Sequence, residues 1–228
     1  MVLLTPIFLA FILSVVSYYS TKYIKIVFRY YDEITSFSAG IILTLIFFEF
    51  LPLLFDGNVL GRYTYGILFL GFILLHLSEK FVFQRVIKKK DLIKDLAYLH
   101  SSGFFLDHFA LGFILTFFFL LKPLETILLL FVAFLLNVLS SALSLRNIRD
   151  KAEFGTLSRI FLSSSPFVGA VVISIFNLPQ PVVNATLAFI IGMFLYLVVR
   201  DVLPEREKGK PVFLIIGIVL TSLITLFT

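Results

Sequence analysis

The chain has 228 residues, 60% of them hydrophobic and only 14% charged, with a mean hydropathy of +1.06. A water-soluble domain of this size could not cover so much apolar surface, because its polar share is too small. The absence of cysteine excludes disulfides, thiolate metal sites and thiol catalysis, and the net charge of +5 sits in short loops, where it reports orientation in a membrane rather than nucleic-acid binding.

The composition points to an all-α integral membrane protein forming a single transmembrane domain over residues 1–228. A spanning helix needs about 20 apolar residues, and eight segments qualify: 2–20, 34–55, 63–84, 96–121, 124–146, 157–177, 181–203 and 211–228. The first begins at Met1 with no basic residue before it and is followed by Lys22, Lys25 and Arg29. A cleaved signal peptide has the opposite charge order, so this segment is expected to stay as a helix with its N-terminus outside.

Lys and Arg then orient the rest. The loops after segments 1, 3, 5 and 7 carry seventeen of them, from Lys22 to Lys210, whereas the alternate loops carry only Arg62 and Lys122. Four basic loops are therefore expected in the cytoplasm, with both termini outside the cell membrane.

The second and seventh segments share a pattern. In each, an acid follows a glycine by nine residues and a proline follows it by twelve: Gly40, Glu49, Pro52 and Gly192, Asp201, Pro204. Leu43/Leu195, Leu45/Leu197 and Leu51/Leu203 match as well. By loop charge the two segments run in opposite directions, so the pattern reads as an inverted repeat, a mark of secondary transporters with a substrate site near the midplane. The bland alternative is chance recurrence of Gly-apolar-Pro patterns in membrane helices.

Between the repeated halves lie the fourth and fifth segments. The fourth carries His100, Asp107 and His108, two of the three histidines of the chain beside a carboxylate. Entering near Leu96, it places Asp107 roughly 16 Å deep; the fifth, entering near Leu124 from the other side, places Asn137 roughly 20 Å deep. Both depths fall near the middle of a core about 30 Å thick. An ionisable residue at that depth costs about 2.5–3.5 kcal/mol or more, and normally faces the protein interior and serves a pathway. Asn137, Ser141 and Ser144 line one stripe of the fifth segment. Carboxylate, imidazole and amide together suit a divalent transition metal. The serines and Asn137 also serve as interhelical hydrogen-bond glue, and His100 also reads as an interfacial residue. Glu49 reads as an acid at a pathway mouth or as a boundary residue, and His76 with Glu79, three apart, as a solvated pair near the cytoplasmic end. Pro166 is expected to bend the sixth segment, with Ser163–Ser165 satisfying the freed backbone groups.

Several stretches resemble the ZIP (Zrt/Irt-like) family of metal transporters: SFSAGIILTLIFFEFLP, GFILLHLSEK, LDHFALG, SSSPFVGAVV and, most specifically, AFIIGMFLYLVVRDVLPE. The resemblance implies eight helices in a 3+2+3 arrangement, both termini outside, and metal carried by the fourth and fifth. The family's fourth-helix frame, His-Asn-x-x-Asp/Glu-Gly, falls on Gly103 to His108, where only the acid Asp107 matches. Its fifth-helix frame, His-x-x-Pro-Glu, falls on Asn137 to Ser141 and keeps neither strong ligand. The usual binuclear centre cannot form from these residues.

The leading expectation is therefore transport of a divalent cation (zinc, iron or manganese) through a weaker site drawn from Asp107, His108, Asn137, His100, Ser141 and Glu49. The metal is substrate, not cofactor; no enzymatic activity is expected; the partners are the cation and the lipid bilayer, with no nucleic acid, and a homodimer is compatible. A transport-inactive relative acting as a regulatory partner is the alternative, and an intramembrane enzyme using Asp107 and His108 the third reading. Adjacent helical residues point apart and make a poor acid–base pair.

Overall fold

The computed structural model describes residues 4–23, 30–56, 59–85, 89–152, 155–176, 178–198 and 209–227. These residues are helical, with no strand among them. The helices are α1 (Leu4–Tyr23), α2 (Tyr31–Asp56), α3 (Tyr63–Arg85), α4 (Lys89–Phe119), α5 (Leu124–Ala152), α6 (Thr156–Ser163), α7 (Ser165–Ile175), α8 (Gln180–Leu197) and α9 (Pro211–Phe227). They coincide with the eight apolar segments, the sixth being divided into α6 and α7. The fourth and fifth helices outrun their apolar segments at the basic ends, because helical hydrogen bonding continues through charged residues once an apolar stretch has nucleated it. The basic loop around residues 24–29 and the Asp201–Pro204 end of the repeated pattern lie outside the described residues.

Among the described residues two helices, Tyr31–Asp56 and Ser101–Phe119, are long and apolar enough to cross a membrane, and the α6–α7 pair, bent by 45°, makes a third if taken as one span. Leu4–Ser20, Tyr63–Ser78, Leu124–Leu139, Gln180–Tyr196 and Pro211–Leu226 are shorter apolar stretches. Outward faces are apolar too: Leu4, Phe8, Phe11, Val15 and Tyr19 line the exposed side of α1.

The widened turn of α2 and the α6–α7 bend each follow from a proline. Pro52 lacks an N–H and its ring crowds the carbonyl four residues back, at Phe48. The preceding turn, Ile46–Phe50, widens to a π-helix in which the Leu51 N–H donates to the Ile46 carbonyl. At the α6–α7 bend, Pro166 frees the Leu162 carbonyl, which accepts from Ser165 Oγ at 2.7 Å. The Phe167 N–H, displaced from its helical acceptor, donates to Ser14 Oγ of α1 at 3.1 Å. The expected bend and the serine compensation are both present, with a second helix contributing.

Packing is dominated by three helix pairs: α2 on α9, α3 on α8 and α4 on α7, while α1 lies across α5 and α7. Each dominant pair crosses at two glycines with one register. A Cβ on Gly40 would collide with the Leu214 carbonyl, and one on Gly217 with that of Phe37. The same holds for Gly71 against Phe189 and Gly192 against Leu68, and for Gly112 against Pro166 and Gly169 against Phe109. In every case the carbonyl belongs to the residue three before the partner glycine. Small residues that let backbones meet this closely are the usual currency of helix association in an apolar solvent.

The first two crossings also correspond as a set. Phe37, Gly40 and Ile41 of α2 meet α9 as Phe189, Gly192 and Met193 of α8 meet α3; Leu68 and Gly71 of α3 stand where Leu214 and Gly217 of α9 stand. Gly40 and Gly192 thus meet their partner helices in one register, which Gly112 and Gly169 of α4 and α7 share. Val198, the equivalent of Ile46, is π-helical as well.

Candidate functional site

Asp107 and His108 stand on α4 and Asn137 on α5, the two helices between the corresponding pairs, and all three are buried. Asn137 Nδ2 donates to Asp107 Oδ2 at 3.2 Å. A carboxylate only accepts here, so this contact also fixes which end of the amide faces Asp107. His108 Nδ1 lies 2.9 Å from the Phe104 carbonyl and 3.4 Å from Asp107 Oδ2. Both neighbours accept, so the ring hydrogen sits on Nδ1 and the lone pair on Nε2. Nε2 is buried without a hydrogen-bond partner. The Phe104 ring stacks on the imidazole with centroids 3.8 Å apart and planes 24° from parallel.

The arrangement therefore brings together a carboxylate, an amide and an imidazole from the sequence-derived set. A cation ligated by Asp107 could take Asn137 through Oδ1 only after the amide turns over. His108 would ligate through Nε2, with its Nδ1–H held by a backbone carbonyl as metal-binding histidines usually are. Phe104 was not anticipated as part of this site, although its spacing of four residues from His108 on one helix face is the signal that could have found it.

The remaining candidates are placed differently. Ser141 is half-buried one turn beyond Asn137. His100 has helical backbone, and its side chain lies outside the described residues, as does that of Glu79. His76 is exposed and packs edge-on to Tyr196, centroids 5.8 Å apart. Glu49 is not brought to the site: its Oε2 lies 2.8 Å from Lys122 Nζ, beyond the end of α4. Twelve residues of helix, about 18 Å, separate Asp107 from that end. Among the described residues no three His, Cys, Asp or Glu side chains converge as a metal-binding group.

No protein-family model, curated protein or solved structure matches the chain. The site's geometry and the resemblance noted in the sequence therefore carry the functional argument by themselves.

Proposed function

We propose that this chain is a ZIP-like transporter that moves a divalent metal cation across a membrane through a mononuclear site between α4 and α5. The observation that carries the reading is the Asp107 carboxylate, buried in an apolar helix with the Asn137 amide and the His108 imidazole against it. A buried charge in such a setting is costly and is kept where it handles a cation or a proton. The sequence pattern shared by the second and seventh segments, with Gly40 and Gly192 both at helix crossings, supports the transporter architecture, because substrate sites of repeat-built transporters lie between the halves.

In this reading all eight segments cross the bilayer. The helices holding the shorter apolar stretches run 17 to 29 residues, which reaches the roughly 17–25 residues a span requires. With alternate crossing, α2 and α8 run oppositely and the repeat is inverted. Transport then proceeds as α1, α4, α5 and α7 shift against the α2–α9 and α3–α8 pairs, exposing Asp107 to one side and then the other.

The test is uptake of manganese, iron(II), zinc and cobalt into proteoliposomes, with Asp107→Asn beside the parent. Asn keeps the shape and an acceptor oxygen but removes the charge, so uptake is expected to fall to the level of empty vesicles. Uptake that Asp107→Asn leaves intact would remove the site from the pathway. A second reading, a transport-inactive partner protein, is favoured by the lack of a three-ligand cluster among the described residues; absence of uptake for every metal by folded protein would select it.

A further inference from the structure

The Glu49–Lys122 pair lies outside the Asp107 site, at the end of the bundle where α2 packs on α5 as well as on α9. Glu49 sits on the π-helical turn of α2, which packs on α9; Lys122 sits in the turn between α4 and α5. The Glu49 side chain is 7% exposed and that of Lys122 33%. The π-turn turns two phenylalanines outward, Phe47 and Phe48, and turns Glu49 and Phe50 inward. Phe50 meets Phe118 of α4 edge-on, centroids 5.2 Å apart, and the Lys122 N–H donates to the Phe118 carbonyl at 2.8 Å. An aromatic contact and an ion pair thus fasten the end of α4 to α2 at one place.

From this turn α5 begins at Leu124 and carries the Asn137 face inward. Thr126 is eleven residues from Asn137, within about 20° of the same face at 100° per residue. Leu130 and Ala133 fill the face between them, both at 0% exposure, and Thr126 itself is 1% exposed. Exposing this face requires the α4–α5 end to part from the helices packed on α5, α2 among them. That movement separates Nζ from a buried carboxylate, which is costly because it leaves the charge uncompensated.

We propose that Glu49 and Lys122 form a latch that holds this end of the bundle shut, so that its release opens the Thr126–Asn137 face. The opening serves the transport reading above, but the latch can be tested without it. The chain has no cysteine, so Thr126→Cys gives a single, near-isosteric reporter in the full-length protein. The labelling rate by a membrane-impermeant maleimide in proteoliposomes is measured in this background, in K122Q, in E49Q and in the exchanged pair E49K/K122E. Each neutral variant is expected to label about tenfold faster, the scale of about 1.4 kcal/mol, and the exchanged pair to return towards the parent rate. Unchanged labelling in K122Q, or an exchanged pair that labels as fast as the single variants, would overturn the latch. Lys122 is a third exposed, so K122Q remains informative if E49Q fails to fold. Manganese uptake by the same samples separates the two proposals. Faster labelling without any uptake keeps the latch and removes transport; Asp107-dependent uptake with unchanged labelling does the reverse.

Discussion

The glycine crossings make a quantitative claim about what holds the helices together. At the α3–α8 crossing, a methyl group on Gly192 would collide with the Leu68 carbonyl oxygen and sit 2.9 Å from its carbon and 3.0 Å from the Phe72 nitrogen. All three atoms are backbone, so no side-chain rotation relieves the clash and the helices must part. An ordinary van der Waals contact then requires a separation of roughly 1 Å, and a gap of that size forfeits about a quarter to a half of the attractive well for each atom pair along the crossing. Weak Cα–H···O contacts, each about 0.5–1 kcal/mol, are lost with it. Gly192→Ala should therefore destabilise by about 1–3 kcal/mol, the range for inserting a methylene into a packed interior. Gly40→Ala should cost the same, since its Cβ meets the Leu214 carbonyl and Ile218 nitrogen in the equivalent register. The internal controls are Gly66 and Gly103, which have nothing within 4 Å of an added Cβ; alanine there should stabilise by about 0.5–1 kcal/mol through helix propensity. Reversible unfolding in detergent, followed by circular dichroism, measures all four. The double variant Gly71→Ala/Gly192→Ala, at one crossing, should cost less than the sum of its parts, whereas Gly40→Ala/Gly192→Ala, at two crossings, should add to within about 0.5 kcal/mol. A neutral Gly192→Ala, or a Gly66→Ala equally damaging, would refute the crossing geometry.

Other expectations follow from the polar contacts. Ser14→Ala removes the acceptor of the Phe167 N–H, and a buried amide left unsatisfied costs about 1–3 kcal/mol; Ser164→Ala, at an exposed hydroxyl bonded to the Phe161 carbonyl, should cost well under that in the same unfolding assay. Asn137→Leu removes the donor to Asp107 Oδ2 while keeping volume, and should reduce manganese uptake in vesicles more than Ser141→Ala does. Cation binding needs a deprotonated carboxylate and a neutral imidazole, so binding followed by calorimetry should weaken as acidification protonates the ligands; binding that Asp107→Asn leaves unchanged would exclude Asp107 as a ligand.

The sequence exposes those features whose physical signal is local. Apolar runs of helical length located the helices, because burial of a long apolar stretch favours a helix regardless of tertiary detail. Gly40 and Gly192, singled out by the shared pattern, both sit at helix crossings, since a glycine placed for close backbone approach has no substitute. Pro166 announced its bend and the neighbouring serines their compensation, both being consequences of a missing N–H. Ser14 could not be paired with Phe167 in advance, because 153 residues separate them. Nor could Lys122 be paired with Glu49: each reads alone as a boundary charge, and only the packing of the α4–α5 turn on the π-turn of α2 joins them. The π-turn was concealed for a related reason, as Pro52 permits a kink, a break or a widened turn, and tertiary contacts select among these. The amide of Asn137 is expected from sequence as a ligand, whereas its nitrogen, not its oxygen, faces the Asp107 carboxylate, an orientation that composition and spacing do not encode.

That orientation leads to a sharper test of what Asp107 carries. One carboxylate balances a single unit of positive charge, so a divalent ion on Asp107 with neutral amide and imidazole neighbours leaves a net charge in a medium where uncompensated ions cost several kcal/mol each. On the transport reading, such a site would bind a divalent cation weakly and release it readily. Asn137→Asp supplies the second negative charge within 3.2 Å of the first. Without metal the two carboxylates repel, and the variant should unfold at a lower temperature than the parent. With manganese present the repulsion becomes a two-carboxylate cage, and stability should rise with concentration as RT ln(1 + [L]/Kd), about 2.7 kcal/mol at a hundredfold excess over Kd. Tighter binding slows release, so uptake by this variant should fall even as its affinity rises. If the unfolding temperature of Asn137→Asp is low but indifferent to manganese, iron(II), zinc and cobalt alike, the pocket between α4 and α5 does not accept a divalent cation, and the transport reading fails at its site rather than at its fold.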